Sequence, residues 1–158
     1  MLYPALVVWA GICALQDASQ KRIANSLTFP CMAVALGYLL IRGETLTGAS
    51  PSQAITAISV VFLLLLPGYM LGRTGAGDIK MMLGLALASD ALHVLICIVI
   101  AGVGVGIWAL LSARVWSFIP VNMKTFMQYM APGGNDGIPY APFLFLGFCF
   151  ASGWIGLL

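Results

Sequence analysis

Charge is what this 158-residue chain has least of: 8% of its residues are Asp, Glu, Lys or Arg, against about a quarter in ordinary soluble domains. That scarcity excludes a soluble globule. With 61% hydrophobic residues and a mean hydropathy of +1.03, its apolar runs approach the roughly 20 residues that cross about 30 Å of hydrocarbon. Most of the chain is therefore expected in a lipid bilayer. Seven Lys and Arg against five Asp and Glu give a net charge of +2, without the basic stripe that neutralises phosphates, so no nucleic acid is expected as a partner. A Cys-x-x-Cys pair is also missing. Cys13, Cys31, Cys97 and Cys149 stand singly in apolar runs and read as small packing residues. His93 has no second ligand at a metal-binding spacing, so neither a metal nor another cofactor is expected. The sequence contains no internal repeat and no low-complexity tract.

What is present is hydrophobic segmentation. Hydropathy predicts an all-α, polytopic bundle of about six transmembrane helices at residues 2–16, 26–41, 54–71, 79–89, 91–113 and 140–158, within one domain over 1–158. The first run lacks a basic flank and a small-residue cleavage site, and is expected to remain as a helix. The fourth is too short for an untilted crossing, so either Gly75 to Asp78 or Asp90 must enter the membrane. Between the fifth and sixth, Ile119, Met123, Phe126, Met127 and Met130 recur at helical spacing, which predicts a short interfacial helix between Pro120 and Gly133-Gly134. Gly68 with Gly72, and Gly102 with Gly106, are small-x-x-x-small pairs that predict close helix packing. Six spans place Lys21, Arg22, Arg73, Lys80, Arg114 and Lys124 on one side and Arg42 alone on the other. The positive-inside rule makes the six-charge side cytoplasmic and puts both termini outside.

Acids at the borders of apolar spans are costly enough to be functional candidates by default. Asp17 ends the first span and Asp78 precedes the fourth within Gly75-Ala76-Gly77-Asp78, both on the expected cytoplasmic side. Two carboxylates that meet at about 4 Å repel by about 4 kcal/mol at an effective dielectric near 20, so the pair shares one proton. The ionised member can then take a proton from water while the protonated member polarises a carbonyl, which is the logic of an aspartyl protease. Gly75 and Gly77 permit irregular backbone and close approach of a substrate main chain. Pro139 and Pro142 around Tyr140 delay helix onset, and could border an extended substrate strand. Asn25 reads first as the N-cap of the second span, with a hydrogen bond near the site as the alternative. Lys80, Lys21 and Arg22 read first as topology charges, and Asp136 as a turn residue held in reserve.

Asp17 followed by Lys21-Arg22-Ile23-Ala24-Asn25, then Gly75-Ala76-Gly77-Asp78-Ile79-Lys80, then Pro139-Tyr140-Ala141-Pro142-Phe143, resembles the type IV prepilin peptidases in the same order. These are membrane aspartyl proteases with a Gly-x-Gly-Asp motif. The resemblance implies that Asp17 and Asp78 are the catalytic pair, with Gly75, Gly77, Lys80, Asn25, Pro139, Tyr140 and Pro142 as supporting or substrate-binding residues. It implies a prepilin substrate with a basic leader followed by an apolar helix, cleaved at the cytoplasmic face of the inner membrane. Ala24 and Ala141 depart from the Pro and Gly frequent in that family. No four-cysteine region lies between the first two spans, so methyl transfer is not expected, and the compact size is similar to the Flp-type, tight-adherence pilus peptidases. The competing readings are a small transporter or ion-binding protein, in which the acids hold an ion, and an inactive pilus-assembly subunit, in which they are dispensable.

Overall fold

The computed structural model describes residues 3–72, 74–133 and 137–155, with side chains through residue 153; Arg73 and Asp136 lie outside this set. All of the described regular structure is helical: α1 (Tyr3–Gln20), α2 (Asn25–Arg42), α3 (Pro51–Met70), α4 (Ala76–Ala88), α5 (Ala91–Phe118), α6 (Val121–Phe126) with a 3-10 turn at Gln128–Met130, and α7 (Ala141–Ile155). The protein is a helical membrane bundle. Helices α2, α3 and α5 are each long and apolar enough to cross a bilayer.

The short fourth helix turns out to be the central post. At 13 residues, α4 reaches only about 20 Å, yet Met81, Met82, Leu85 and Ala86 are almost wholly buried because α2, α3 and α5 all pack on it. A helix enclosed by protein need not match the hydrocarbon thickness. Gly75 to Asp78 is not an irregular dip; its last three residues are the first turn of α4. Asp90 caps α5 by accepting from the amides of Leu92 (2.8 Å) and His93 (3.0 Å), and its other oxygen meets His93 Nδ1 at 2.6 Å. Burial works against the Asp90 carboxylate, but these bonds outweigh it and hold Asp90 below the usual carboxylate range.

Helix α5 continues past residue 113 to Phe118, since no breaker intervenes before Pro120. The expected interfacial helix is shorter than its apolar spacing suggests. It holds its α-form only over Val121–Phe126, then tightens into the 3-10 turn, where buried Met130 offers its carbonyl to Trp108 Nε1 at 3.1 Å.

The small-residue pairs are not where the helices approach most closely. An added Cβ at Gly102 or Gly106 would meet nothing within 4 Å, and Gly72 is a turn residue with φ of 68°. The tight contacts are elsewhere. A Cβ at Gly147 would stand 2.5 Å from the Cys97 carbonyl oxygen and 2.8 Å from its Cα, so α7 can lie on α5 only because residue 147 has no side chain. Gly104 likewise makes room for the Phe143 ring. Cys97 is buried beside this contact, its thiol donating to the Leu144 carbonyl at 2.9 Å, and all four cysteines are free. The core thus fixes α1, α5 and α7 together and seats α2 and α3 on α4.

Candidate active site

Helix α1 turns one stripe inward: Leu6, Ala10, Cys13 and Ala14 are buried, and the next member of that stripe is Asp17. The carboxylate is therefore carried into the bundle by the same periodicity that buries the apolar residues above it. Lys21 then ends the helix in the left-handed region at φ 51°, the one described non-glycine residue with positive φ, and its amide reaches the Asp17 carbonyl at 2.7 Å. Gln16 closes the following loop by accepting from the Ala24 amide at 2.8 Å. On α4 the buried stripe Met81, Met82, Leu85 begins one turn earlier at Asp78, whose Oδ2 accepts from the Gly75 amide at 3.1 Å. Both acids are only 6% exposed.

The fold brings them together. Asp17, Asp78, Gly75 and Lys21 line two adjoining cavities, one of about 590 Å³ toward the α1–α2 loop and one of about 440 Å³ toward Gly72, Thr74 and Gly137 to Tyr140. The acids interact electrostatically, and Lys21 acts in turn on Asp17. Asp17 Oδ2 accepts from the Ala141 amide at 3.2 Å, and the Tyr140 amide adds a second backbone donor. Asp78 Oδ1, by contrast, is buried without a hydrogen-bond partner among the described residues. A carboxyl oxygen left in this way can carry the shared proton and present it to a substrate carbonyl.

Several supporting residues take different parts from those the spacing suggested. Asn25 is the first residue of α2 rather than its cap; Ala24 holds that position, and Asn25 Oδ1 instead accepts from Lys80 Nζ at 2.8 Å. Lys80 also lies over the Phe29 ring at 5.2 Å, so it ties the starts of α2 and α4 across the larger cavity. Gly77 is close-packed under Ile23, where a Cβ would meet the Ile23 Cβ at 3.2 Å, so its bareness admits the α1–α2 loop. Gly75 clears space for the acid itself, since a Cβ there would stand 3.0 Å from Asp78 Oδ2. Pro139 and Tyr140 border the smaller cavity, with the Tyr140 hydroxyl reaching the Ile98 carbonyl at 3.4 Å. Pro142 stands in the first turn of α7, where a missing N–H removes no helical bond. Gln16 has no distinguishing sequence signal, being a polar residue at a span end, whereas Lys21 reads as a topology charge and its place at a helix stop, where glycine is more common, is visible only in the structure.

Compared with models of known families, residues 5–110 match the type IV leader peptidase family. The chain belongs to this family. No curated protein and no solved structure matches it. Membership in the type IV leader peptidase family makes the chain a membrane hydrolase that acts on prepilins. The matched region contains both acids, Gln16, Lys21, Asn25 and Lys80, and ends within α5. The α7 segment that holds Asp17 lies beyond it, so its part in the site is read from the geometry alone.

Proposed function

We infer that the chain is an aspartyl endopeptidase that removes the basic leader of Flp-type prepilins at the cytoplasmic face of the inner membrane, with Asp17 and Asp78 as its catalytic pair. The observation that carries this is the convergence of two buried acids from separate helices on the ridge between two cavities. An extended chain lying through both cavities passes its peptide bond over the pair. One acid, ionised, deprotonates a water; the other, protonated, donates to the scissile carbonyl, giving a tetrahedral diol that collapses with release of the new amine. Unequal anchoring supports a division of labour. Asp17 Oδ2 is held by the Ala141 amide, and the unpartnered Asp78 Oδ1 suits a proton held for the substrate.

Lys21, Arg22 and Lys80 at the larger cavity support, by the positive-inside rule, a cytoplasmic position for that end of the bundle, where the leader remains, with both termini outside. The whole chain acts as one peptidase domain and leaves the new amino terminus unmethylated. A transporter reading gains nothing from a cavity whose rim carries Lys21, Arg22 and Lys80.

Reconstitution of the purified protein in lipid with a Flp-type prepilin, followed by mass spectrometry, tests the proposal without added metal. A single leader product is expected, reduced by roughly a thousandfold or more in Asp17→Asn and in Asp78→Asn while both variants insert normally. Near-wild-type cleavage by either variant refutes the dyad.

A further inference from the structure

Helices α1 and α2 follow one another in the chain yet make their main contacts elsewhere: α1 lies on α7, and α2 lies on α4. The gap between them is an apolar groove of about 360 Å³, walled by Leu6 and Trp9 on one side and Leu27, Pro30, Cys31 and Val34 on the other. That is a little over twice the roughly 150 Å³ that takes one benzene ring, so it seats the side chains along one face of a helix and not the helix itself. Its lining continues directly into the larger cavity at the acids, since Ala24 and Asn25 line the cavity and Ser26 and Leu27 line the groove. Trp9 Nε1 donates to the Leu27 carbonyl at 2.9 Å and braces the gap from within. Pro30, having no N–H, cannot close the helical bond to the Ser26 carbonyl at the groove's cavity end.

Resting on the peptidase reading above, we propose that this groove is the docking site for the apolar helix that follows the cleavage site in the substrate. Continuity with the cavity gives the helix a direct path to the acids. With the apolar helix in the groove, the mature side of the scissile bond lies toward α2. The extended stretch joining helix to scissile bond passes the Ser26 carbonyl, where its backbone N–H groups find an acceptor.

The test places the photo-crosslinker p-benzoylphenylalanine at Val34, and separately at Leu110 on α5, which is 83% exposed and outside the groove. Each is made in the uncleaving Asp78→Asn protein, reconstituted with the prepilin and irradiated. Adducts within the apolar helix of the prepilin from Val34, and not from Leu110, are expected. In the otherwise native protein, Val34→Trp should lower kcat/KM for the prepilin roughly tenfold, because filling the groove removes the binding of the helix while both acids stay in place. Adducts to lipid alone, or equal adducts from both positions, while the native protein cleaves the same prepilin, overturn the groove and leave the peptidase reading standing. Failure of the native protein to cleave the prepilin overturns the peptidase reading, and this proposal with it.

Discussion

Replacing Gly147 by Ala puts the contact between α5 and α7 to a direct test. The new Cβ would sit 2.5 Å from the Cys97 carbonyl oxygen, and ordinary contact begins near 3.4 Å, so the helices must part by about 0.9 Å at that point. The obstructing atoms are backbone and cannot rotate away. A gap of that size forfeits a quarter to a half of the dispersion attraction of each neighbouring contact. Overpacking of this kind costs about 1–3 kcal/mol. Lengthening the 2.9 Å Cys97-to-Leu144 bond adds up to about 1 kcal/mol, while the better helix propensity of Ala returns at most about 1 kcal/mol. The net expectation is a loss of about 1–3 kcal/mol, with cleavage also falling because α7 carries the amides that hold Asp17. The control is Gly102→Ala, whose Cβ enters open space and which should be neutral or stabilising. Denaturant titration in a defined micelle, read by reactivity of the buried Cys97 thiol, compares the two. Equal stability of Gly147→Ala and Gly102→Ala would refute the argument.

Two further outcomes follow from contacts at either end of the bundle. Asn25→Ala and Lys80→Met should each lower cleavage by about three- to tenfold, and the double variant should do little worse than either, since they remove one bond; full additivity in the kinetic cycle would show that the residues act separately. At the opposite end, Asp90→Ala should cost about 1 kcal/mol at neutral pH through loss of the α5 cap, measured by the same denaturant titration. Because Asp90 is held below the usual carboxylate range, its contribution is fully present above the unfolded value near 3.9 and is lost as pH falls through its folded value. The stability difference between native protein and variant should therefore shrink on acidification below about pH 4; a difference that stays constant would exclude this ion-linked contribution.

The helical bundle and the placement of both acids were legible because they rest on period and polarity. Asp17 falls on the stripe of Leu6, Ala10 and Cys13, and Asp78 on that of Met81, Met82 and Leu85, so each is carried inward by its own helix. What depends on partners distant in sequence was not legible. Asn25 looks like a cap until α4 brings Lys80 to it, and Gly102-x-x-x-Gly106 looks like a packing face until α7 chooses Gly104 and Gly147 instead. The same holds for Pro139 to Pro142, where the sequence announces a delayed helix but cannot say that its amides end on an acid 124 residues earlier. Length misleads for α4: eleven apolar residues seem too few to cross lipid, but a helix surrounded by other helices answers to their spacing and not to the bilayer.

The two acids are anchored on different sets of helices. Asp17 is positioned by α1 and by the start of α7, and α7 is locked to α5 at Gly147 and Leu144. Asp78 takes its bond from its own Gly75 amide and rides on α4, which is seated between α2 and α3. Where these sets meet beside the acids, α1 and α4 touch only lightly, so the carboxyl separation follows from how the two sets sit against each other. The groove between α1 and α2 has one wall from each. If an apolar substrate helix fills it, the same contacts that hold the helix also fix one acid relative to the other. Binding energy from a part of the substrate remote from the scissile bond would then be used to align the reacting groups, which is where such energy raises kcat rather than merely lowering KM.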